Sequence, residues 1–523
     1  MTSTHQPLHP WGVLALCLTF AFGVVASFAR LGESLDSDEL LYASAARSVL
    51  RDGSLRLGPG LERLERAPIT TWLVAASFRL WGQTEQAARA PGALFACLGL
   101  VAVFVVGRRC FGPTVGVWAA GVAAVLPLFI KQARTCGPFA EARFFAFVTA
   151  ALLLTVIEHA RRWDTFRPWL ASRRGLAVLV GAAACTTVML LLHGISAVAL
   201  AGVLAFAVCV SIADGWRRGA RTTLASPLVL LVVAPLTALV IIAAASSRLA
   251  TFYIPAGVSI RDWSTGMNRS LMTYHWTLSL QGMLLYALLL LGALLALARR
   301  RLTETYWAVL FGTAVLLMSV GLRWKAPKLL SVHLGSGVLL CGLAADTLAR
   351  TLVAAATHLP LGRRPGIAAA LVAVAMAAAA VVGGVPQRAL AAMAAGTRHT
   401  QREAFLHVKE HWQPGDAVVA RKLSAARYYL GRVDYKLQGA VRLSTAPDVG
   451  EIFGADDFAK ALANHPRLWI VIEKDKLHRE KYAGSTTVSP AARAVLLRIE
   501  PVYTSPPREI LVFRMDGPDA LKR

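Results

Sequence analysis

The chain has 523 residues, 56% of them hydrophobic and only 16% charged, with a formal net charge of +25. So apolar a chain of this length is not a soluble globular enzyme, and the charge does not gather in a soluble basic domain on the side where arginines cluster, which excludes nucleic acid as a partner. Seven cysteines (Cys17, Cys97, Cys110, Cys136, Cys185, Cys209 and Cys341) lie in or beside apolar runs and leave the C-terminal region without any, so no disulfide framework is expected there.

Apolar runs long enough to cross a bilayer are expected near 11–31, 87–107, 114–131, 138–159, 175–192, 195–213, 224–245, 276–298, 304–322, 329–349 and 366–386. The fold class that follows is a polytopic α-helical membrane protein with about 11 spans. The first run has the length of a retained helix and lacks a small-residue cleavage site before the acidic residues that follow. Arginines recur at every second loop: Arg108-Arg109, Arg161-Arg162, Arg217-Arg218, Arg299-Arg300-Arg301 and Arg363-Arg364. By the positive-inside rule these loops and the N-terminus are cytoplasmic, while loop 32–86 and everything after about 387 face outward.

The first outer loop, 32–86, is too patterned for a plain connector. Residues 37–51 have helical spacing, and Ile69–Trp81 reads as a second amphipathic helix with Trp72, Phe78 and Trp81 suited to a membrane interface. Asp36, Asp38 and Glu39 put three carboxylates within four residues. In a helix starting near 38, Asp38 and Tyr42 share a face, as do Asp36 and Glu39. A carboxylate there suits a general base whose neighbours tune it; the same residues also suit a helix cap, with Ser37 or Asp38 capping and Glu39 favoured by the helix dipole.

Further along, Glu65-Arg66-Ala67-Pro68 opens the second surface helix, and Arg66 is placed to pair with a lipid phosphate or to snorkel. Lys131–Glu141 joins two spans on the outer side, carrying Arg134 and, just inside the next helix, Glu141. An ionisable group inside a span is a functional candidate by default, with Arg134 or Arg143 as possible neutralising partners. His193 sits at a tight turn between two spans, where a structural role is the simpler one. Arg323-Trp324-Lys325-Ala326-Pro327-Lys328 sets three cations in a short outer loop, against the topology rule and in favour of a phosphate ligand.

From about 400 the composition becomes that of a soluble α/β domain. Arg402–Trp412 reads as a helix stopped by Gln413-Pro414-Gly415-Asp416, Ala417–Ala420, Leu468–Glu473 and Glu509–Met515 as strands, and Asp456–Asn464 as a helix. The expected organisation is a membrane domain over 1–390, including loop 32–86, and an outward-facing soluble domain over 395–523.

These pieces together resemble the polyprenol-phosphate-sugar-dependent glycosyltransferases of the GT-C superfamily, in particular the bacterial branch with protein O-mannosyltransferases and the lipid A aminoarabinose transferase. Asp38-Glu39-Leu40-Leu41-Tyr42-Ala43 is similar to that family's D-E-x-x-Y-A motif, and Glu65-Arg66-Ala67-Pro68 to its E-K-P-P segment. Ala87–Pro91, Gly107–Gly112 and Gln132–Thr135 are similar to its A-A-R-L-P, G-R-R-x-F-G and Q-A-R-T stretches, and Lys325-Ala326-Pro327 to its late K-L-P loop. The likeness is strong over about 34–145, fair at 323–331 and general elsewhere. Arg66-Ala67 replaces the usual Lys-Pro, Glu141 stands three residues after Pro138 where many members have an aspartate directly after the proline, and His193 replaces a lysine of the aminoarabinose transferase.

The resemblance implies an inverting transfer of a sugar from a polyprenyl-phosphate donor to a lipid, glycan or protein acceptor at the periplasmic face of a bacterial inner membrane. It implies Asp38, Glu39 and Glu141 as catalytic residues, with Asp36, Tyr42 and His193 supporting them. Arg66, Arg134, Lys325 and Lys328 would bind the donor phosphate. Neither a cofactor nor a metal is expected, although some GT-C enzymes use a divalent ion; membrane lipids are expected partners. The competing reading is a lipid-linked glycan binding or flipping protein. Ionisable groups gathered at one face, without an internal repeat, favour the enzyme.

Overall fold

The computed structural model describes residues 8–57, 64, 67–218, 227–228, 278–279, 281–321, 327–356, 365–395, 401–438, 449–478, 488–505, 510–517 and 520. Arg66, Lys325 and all but two residues of the span expected at 224–245 lie outside that set. The helices run, in chain order, α1 (Pro10–Phe28), α2 (Ser37–Asp52), α3 (Pro68–Trp81), α4 (Glu85–Phe111), α5 (Pro113–Val125), α6 (Pro127–Ala133), α7 (Phe139–Ala160), α8 (Trp163–Ala171), α9 (Arg173–Leu192) and α10 (Ala197–Arg218). They continue with α11 (Met283–Arg299), α12 (Leu302–Gly321), α13 (Pro327–Leu330), α14 (Leu334–Ala356), α15 (Pro365–Val382) and α16 (Val385–Ala394), with 3-10 turns at Gly194–Ser196 and Ser331–His333.

Among the described residues seven helices are long and apolar enough to cross a membrane, or up to nine if each of two bent pairs is one span. The protein is a multi-pass membrane protein. The run expected as a single helix at 114–131 is broken: α5 and α6 meet at 66°. Pro127 is the cause, because its ring removes an amide donor and disfavours helical backbone at Leu126, which is extended (φ −72°, ψ 116°). The last expected span likewise stops at Val382, and α16 leaves at 51° after Gly383-Gly384, where Gly384 takes a positive φ of 70°.

The described chain divides into two compact units. The first comprises Met1–Ala29, Arg66–Thr70 and Ala90–Ala395. Its core packs α5 and α11 against α14, α7 against α9, and α10 against α12. Small residues allow the closest approaches. A Cβ at Gly342 would come within 2.9 Å of the Ala119 amide nitrogen and the Val115 carbonyl, and one at Gly292 within 2.0 Å of the Leu340 carbonyl, so α14 touches α5 and α11 backbone to backbone.

The second unit comprises Arg30–Glu65, Thr71–Arg89 and Gly396–Arg523. This differs from the expected organisation, which assigned loop 32–86 to the membrane domain; most of that loop packs with the C-terminal domain. The domain itself holds α17 (Gln401–Glu410), β1 (Ala417–Ala420), α18 (Leu423–Leu430), β2 (Tyr435–Leu437), β3 (Gly450–Ile452), α19 (Ala455–Asn464), β4 (Arg467–Glu473), α20 (Lys474–His478), α21 (Pro490–Leu496), β5 (Tyr503–Ser505) and β6 (Ile510–Asp516). The sheet order is β3-β2-β1-β4-β6-β5. The first four strands in that order are parallel and the β4–β6 and β6–β5 pairs antiparallel. Phe458 of α19, Ile470 of β4 and Phe513 of β6 are fully buried in its core, and the near-continuous burial of β1 and β4 is what a covered parallel sheet requires.

Candidate functional site

The acidic loop is built around a buried arginine. Arg89, 1% exposed near the start of α4, donates Nε to Glu39 Oε1 at 2.8 Å and Nη2 to Glu39 Oε2 at 2.7 Å. Its remaining donors go to backbone carbonyls: Nη1 to Leu31 (2.9 Å) and Glu33 (2.5 Å), Nη2 to Ser34 (2.9 Å). A guanidinium has five N–H groups, and here all five have an acceptor. The fork therefore fixes residues 31–34 and the first turn of α2 to the same point.

Glu39 is accordingly a holding group. It is 2% exposed, and besides Arg89 its Oε2 accepts the backbone N–H of Asp36 at 2.7 Å. That is the return half of a capping box, with Asp36 at the N-cap rather than Ser37 or Asp38, and Leu40 N–H closing the first turn on the Asp36 carbonyl at 2.9 Å. Asp38, one residue before Glu39, is exposed, while Tyr42, one turn on, is buried. The structure thus separates two adjacent carboxylates. One is neutralised and structural; the other is presented at the surface, on the positive end of a helix.

In the first unit a different polar group collects where the N-terminus of α7 packs against both 3-10 turns. Glu141, in the first turn of α7, is 1% exposed, and its Oε2 has no hydrogen-bond partner. Neither Arg134 nor Arg143 forms an ion pair with it among the described residues: the Arg143 guanidinium lies 3.7 Å above the Phe129 ring instead. The Phe139 ring has Lys328 Nζ 5.4 Å from its centroid and the His193 ring 5.3 Å away. His333, 5% exposed, lies close by with Nε2 unpartnered. Unpartnered buried polar atoms are costly, which makes Glu141 and His333 candidates for contact with a ligand.

Two expected site residues, one a phosphate ligand and one a supporting group, have a visible structural task. Arg134 donates Nη1 to the Met393 carbonyl at 2.7 Å and Nη2 to those of Ala392 and Ala395 at 2.7 and 3.0 Å, which caps the C-terminus of α16. His193 caps the turn after α9, its Nδ1 accepting Ile195 N–H at 3.1 Å. Sequence reasoning did not single out Arg89 or His333. An arginine at the head of an apolar helix was a usable signal for the first; nothing in the sequence distinguished the second.

Residues 65–241 match the family model described as Dolichyl-phosphate-mannose-protein mannosyltransferase. Over 138 residues the chain is 30% identical to an uncharacterized protein of Aquifex aeolicus (strain VF5), a match covering 26% of this chain and 27% of that relative. The match thus spans about a quarter of the length of the curated relative. In fold, the chain is similar to ArnT from Cupriavidus metallidurans at 16% identity, with TM-scores of 0.58 for its apo state and 0.59 for the form bound to undecaprenyl phosphate; the alignments cover 96% of this chain and 97% and 98% of those. It is also similar to the archaeal oligosaccharyltransferase AglB from Archaeoglobus fulgidus in complex with an inhibitory peptide and a dolichol-phosphate (TM-score 0.58, 13% identity, 88% of this chain and 69% of that one). At these identities the likeness is one of fold. The fold is like that of ArnT and AglB, and the family match takes in the motifs between Glu65 and Thr135 that carry part of the resemblance.

Proposed function

We propose that the chain is an inverting glycosyltransferase that moves a sugar from a polyprenyl-phosphate donor to a lipid, glycan or protein acceptor at the outer face of a bacterial inner membrane. The observation that carries the reading is the separation of the paired carboxylates. With Glu39 buried on Arg89, Asp38 is the exposed base, held on the first turn of α2 in a chain of GT-C fold. An acceptor hydroxyl would lose its proton to an Asp38 oxygen as it attacks the anomeric carbon. The bond from that carbon to the phosphate oxygen breaks, and the polyprenyl phosphate leaves with the electron pair. Arg66, Lys325 and Lys328 would stabilise the charge it gains. Arg134 joins them only on exchanging the α16 carbonyls for phosphate. Glu141 would orient the acceptor or sugar. Asp36 and Tyr42 would support the loop, and His193 the turn beside Phe139.

The test is release of polyprenyl phosphate by the purified protein from a panel of polyprenyl-phosphate sugars, wild type against Asp38→Asn. Turnover by the wild type and its loss, by about 10²-fold or more, in the variant is the expected result. Equal binding of donor lipid by both forms with no turnover from any donor would sink the reading in favour of a lipid-glycan binding protein.

A further inference from the structure

The loop that carries Asp38 is held from a second direction. Tyr429, near the end of α18 in the C-terminal domain, takes the Leu35 backbone N–H on its hydroxyl at 3.1 Å and lies 3.4 Å from Ser34 Oγ. Arg402, on α17, donates its backbone N–H to Ser34 Oγ at 3.4 Å and Nη1 to the Gly32 carbonyl at 3.3 Å, and pairs with Glu85 at 3.3 Å. Along α2 itself, Arg47 donates to the Tyr428 carbonyl at 2.8 Å and lays its guanidinium 3.6 Å above the Tyr428 ring. Leu35 is 1% exposed, so its amide has no water to fall back on when the phenol is removed. Burial raises the Tyr429 phenol above its usual range, which keeps it protonated and able to bridge both partners.

We infer that the C-terminal domain is a working part of the proposed transferase, with Tyr429 and Arg402 acting as positioning residues that set the place of Asp38. The inference rests on the transferase reading. Arg89 grips residues 31–34 from the head of α4, Tyr429 and Arg402 grip residues 32–35 from the soluble domain, and α2 begins two residues later. A loop pinned at both sides so close to a base cannot shift without moving it. A displacement of about 1 Å is enough to cost roughly 10²-fold in rate.

The experiment compares the full-length protein with Tyr429→Phe, Arg402→Lys and Arg402→Ala, measuring amide exchange and steady-state turnover on the same preparations. Tyr429→Phe keeps the ring that stacks near Phe405 and removes only the hydroxyl. The expected result is exchange over residues 31–36 faster by roughly 10-fold or more, the effect of one lost partner at a buried amide. Turnover at saturating donor should fall about 10- to 100-fold with the donor KM unchanged, and Arg402→Lys should recover part of what Arg402→Ala loses. Faster exchange with wild-type turnover would overturn the positioning role, and unchanged exchange would overturn the clamp itself. If the wild type releases no polyprenyl phosphate, the transferase reading fails and takes the catalytic half of the inference with it, while exchange still decides the clamp.

Discussion

Replacing Arg89 by lysine tests whether the guanidinium fork holds the acidic loop. The arginine fills five hydrogen-bonding positions, two on Glu39 and three on the carbonyls of Leu31, Glu33 and Ser34. An ammonium has three donors and no fixed plane, so at least two of these acceptors lose their partner while the charge balance with Glu39 survives. At about 1–3 kcal/mol for each buried acceptor left unmade, the loop becomes easier to open by roughly 2–6 kcal/mol, or about 30-fold to 10⁴-fold. Amide exchange followed by mass spectrometry in lipid nanodiscs reads this directly over residues 31–40, with β4 of the C-terminal sheet as an internal control. Faster exchange in the loop and none in β4 is expected, together with a fall in turnover. Loop exchange within about threefold of wild type would show that the fork is dispensable, and the assignment of Glu39 as a holding group would then be wrong.

Two further substitutions separate function from stability elsewhere. Glu141→Leu replaces a buried carboxylate with an unpartnered oxygen by an apolar group of similar size, so thermal stability should hold or rise by about 1–3 kcal/mol while turnover falls; a loss of stability with turnover retained would make Glu141 a structural group. Asp416 accepts from Arg467 Nε (2.8 Å), Trp469 Nε1 (2.9 Å) and the Gln413 backbone N–H (3.0 Å). Burial alone would raise its pKa, but these donors outweigh burial and hold it below the usual carboxylate range. Its stabilisation is therefore present above the ordinary aspartate pKa of about 3.9 and is lost as pH falls through the lower folded value. Thermal melting of Asp416→Asn should show a deficit of roughly 1–3 kcal/mol at pH 7 that narrows below about pH 4; a deficit that does not change with pH would refute the ionic account.

Apolar runs, proline positions and helical spacing are local signals, and they placed most elements to within a few residues. The helix expected over 37–51 spans Ser37–Asp52, that expected over Ile69–Trp81 spans Pro68–Trp81, and the strand at Ala417–Ala420 has the expected ends. A period of 3.6 or 2 is imposed by the backbone itself, so a sequence reports it without knowing its neighbours. The candidate carboxylates were legible for the same reason, as an unusual local concentration of charge.

What the sequence did not determine was which carboxylate does what. Asp38 and Glu39 are adjacent and chemically alike; a guanidinium fifty residues away in the chain buries one and leaves the other exposed. Nor did it disclose that the loop belongs with the C-terminal domain, because Tyr429 and Ser34 are brought together only by tertiary packing over 395 residues of chain. Local propensity fixes the elements through the backbone's own geometry. The role of each charge is decided by burial and by partners distant in sequence, and only the folded chain supplies those.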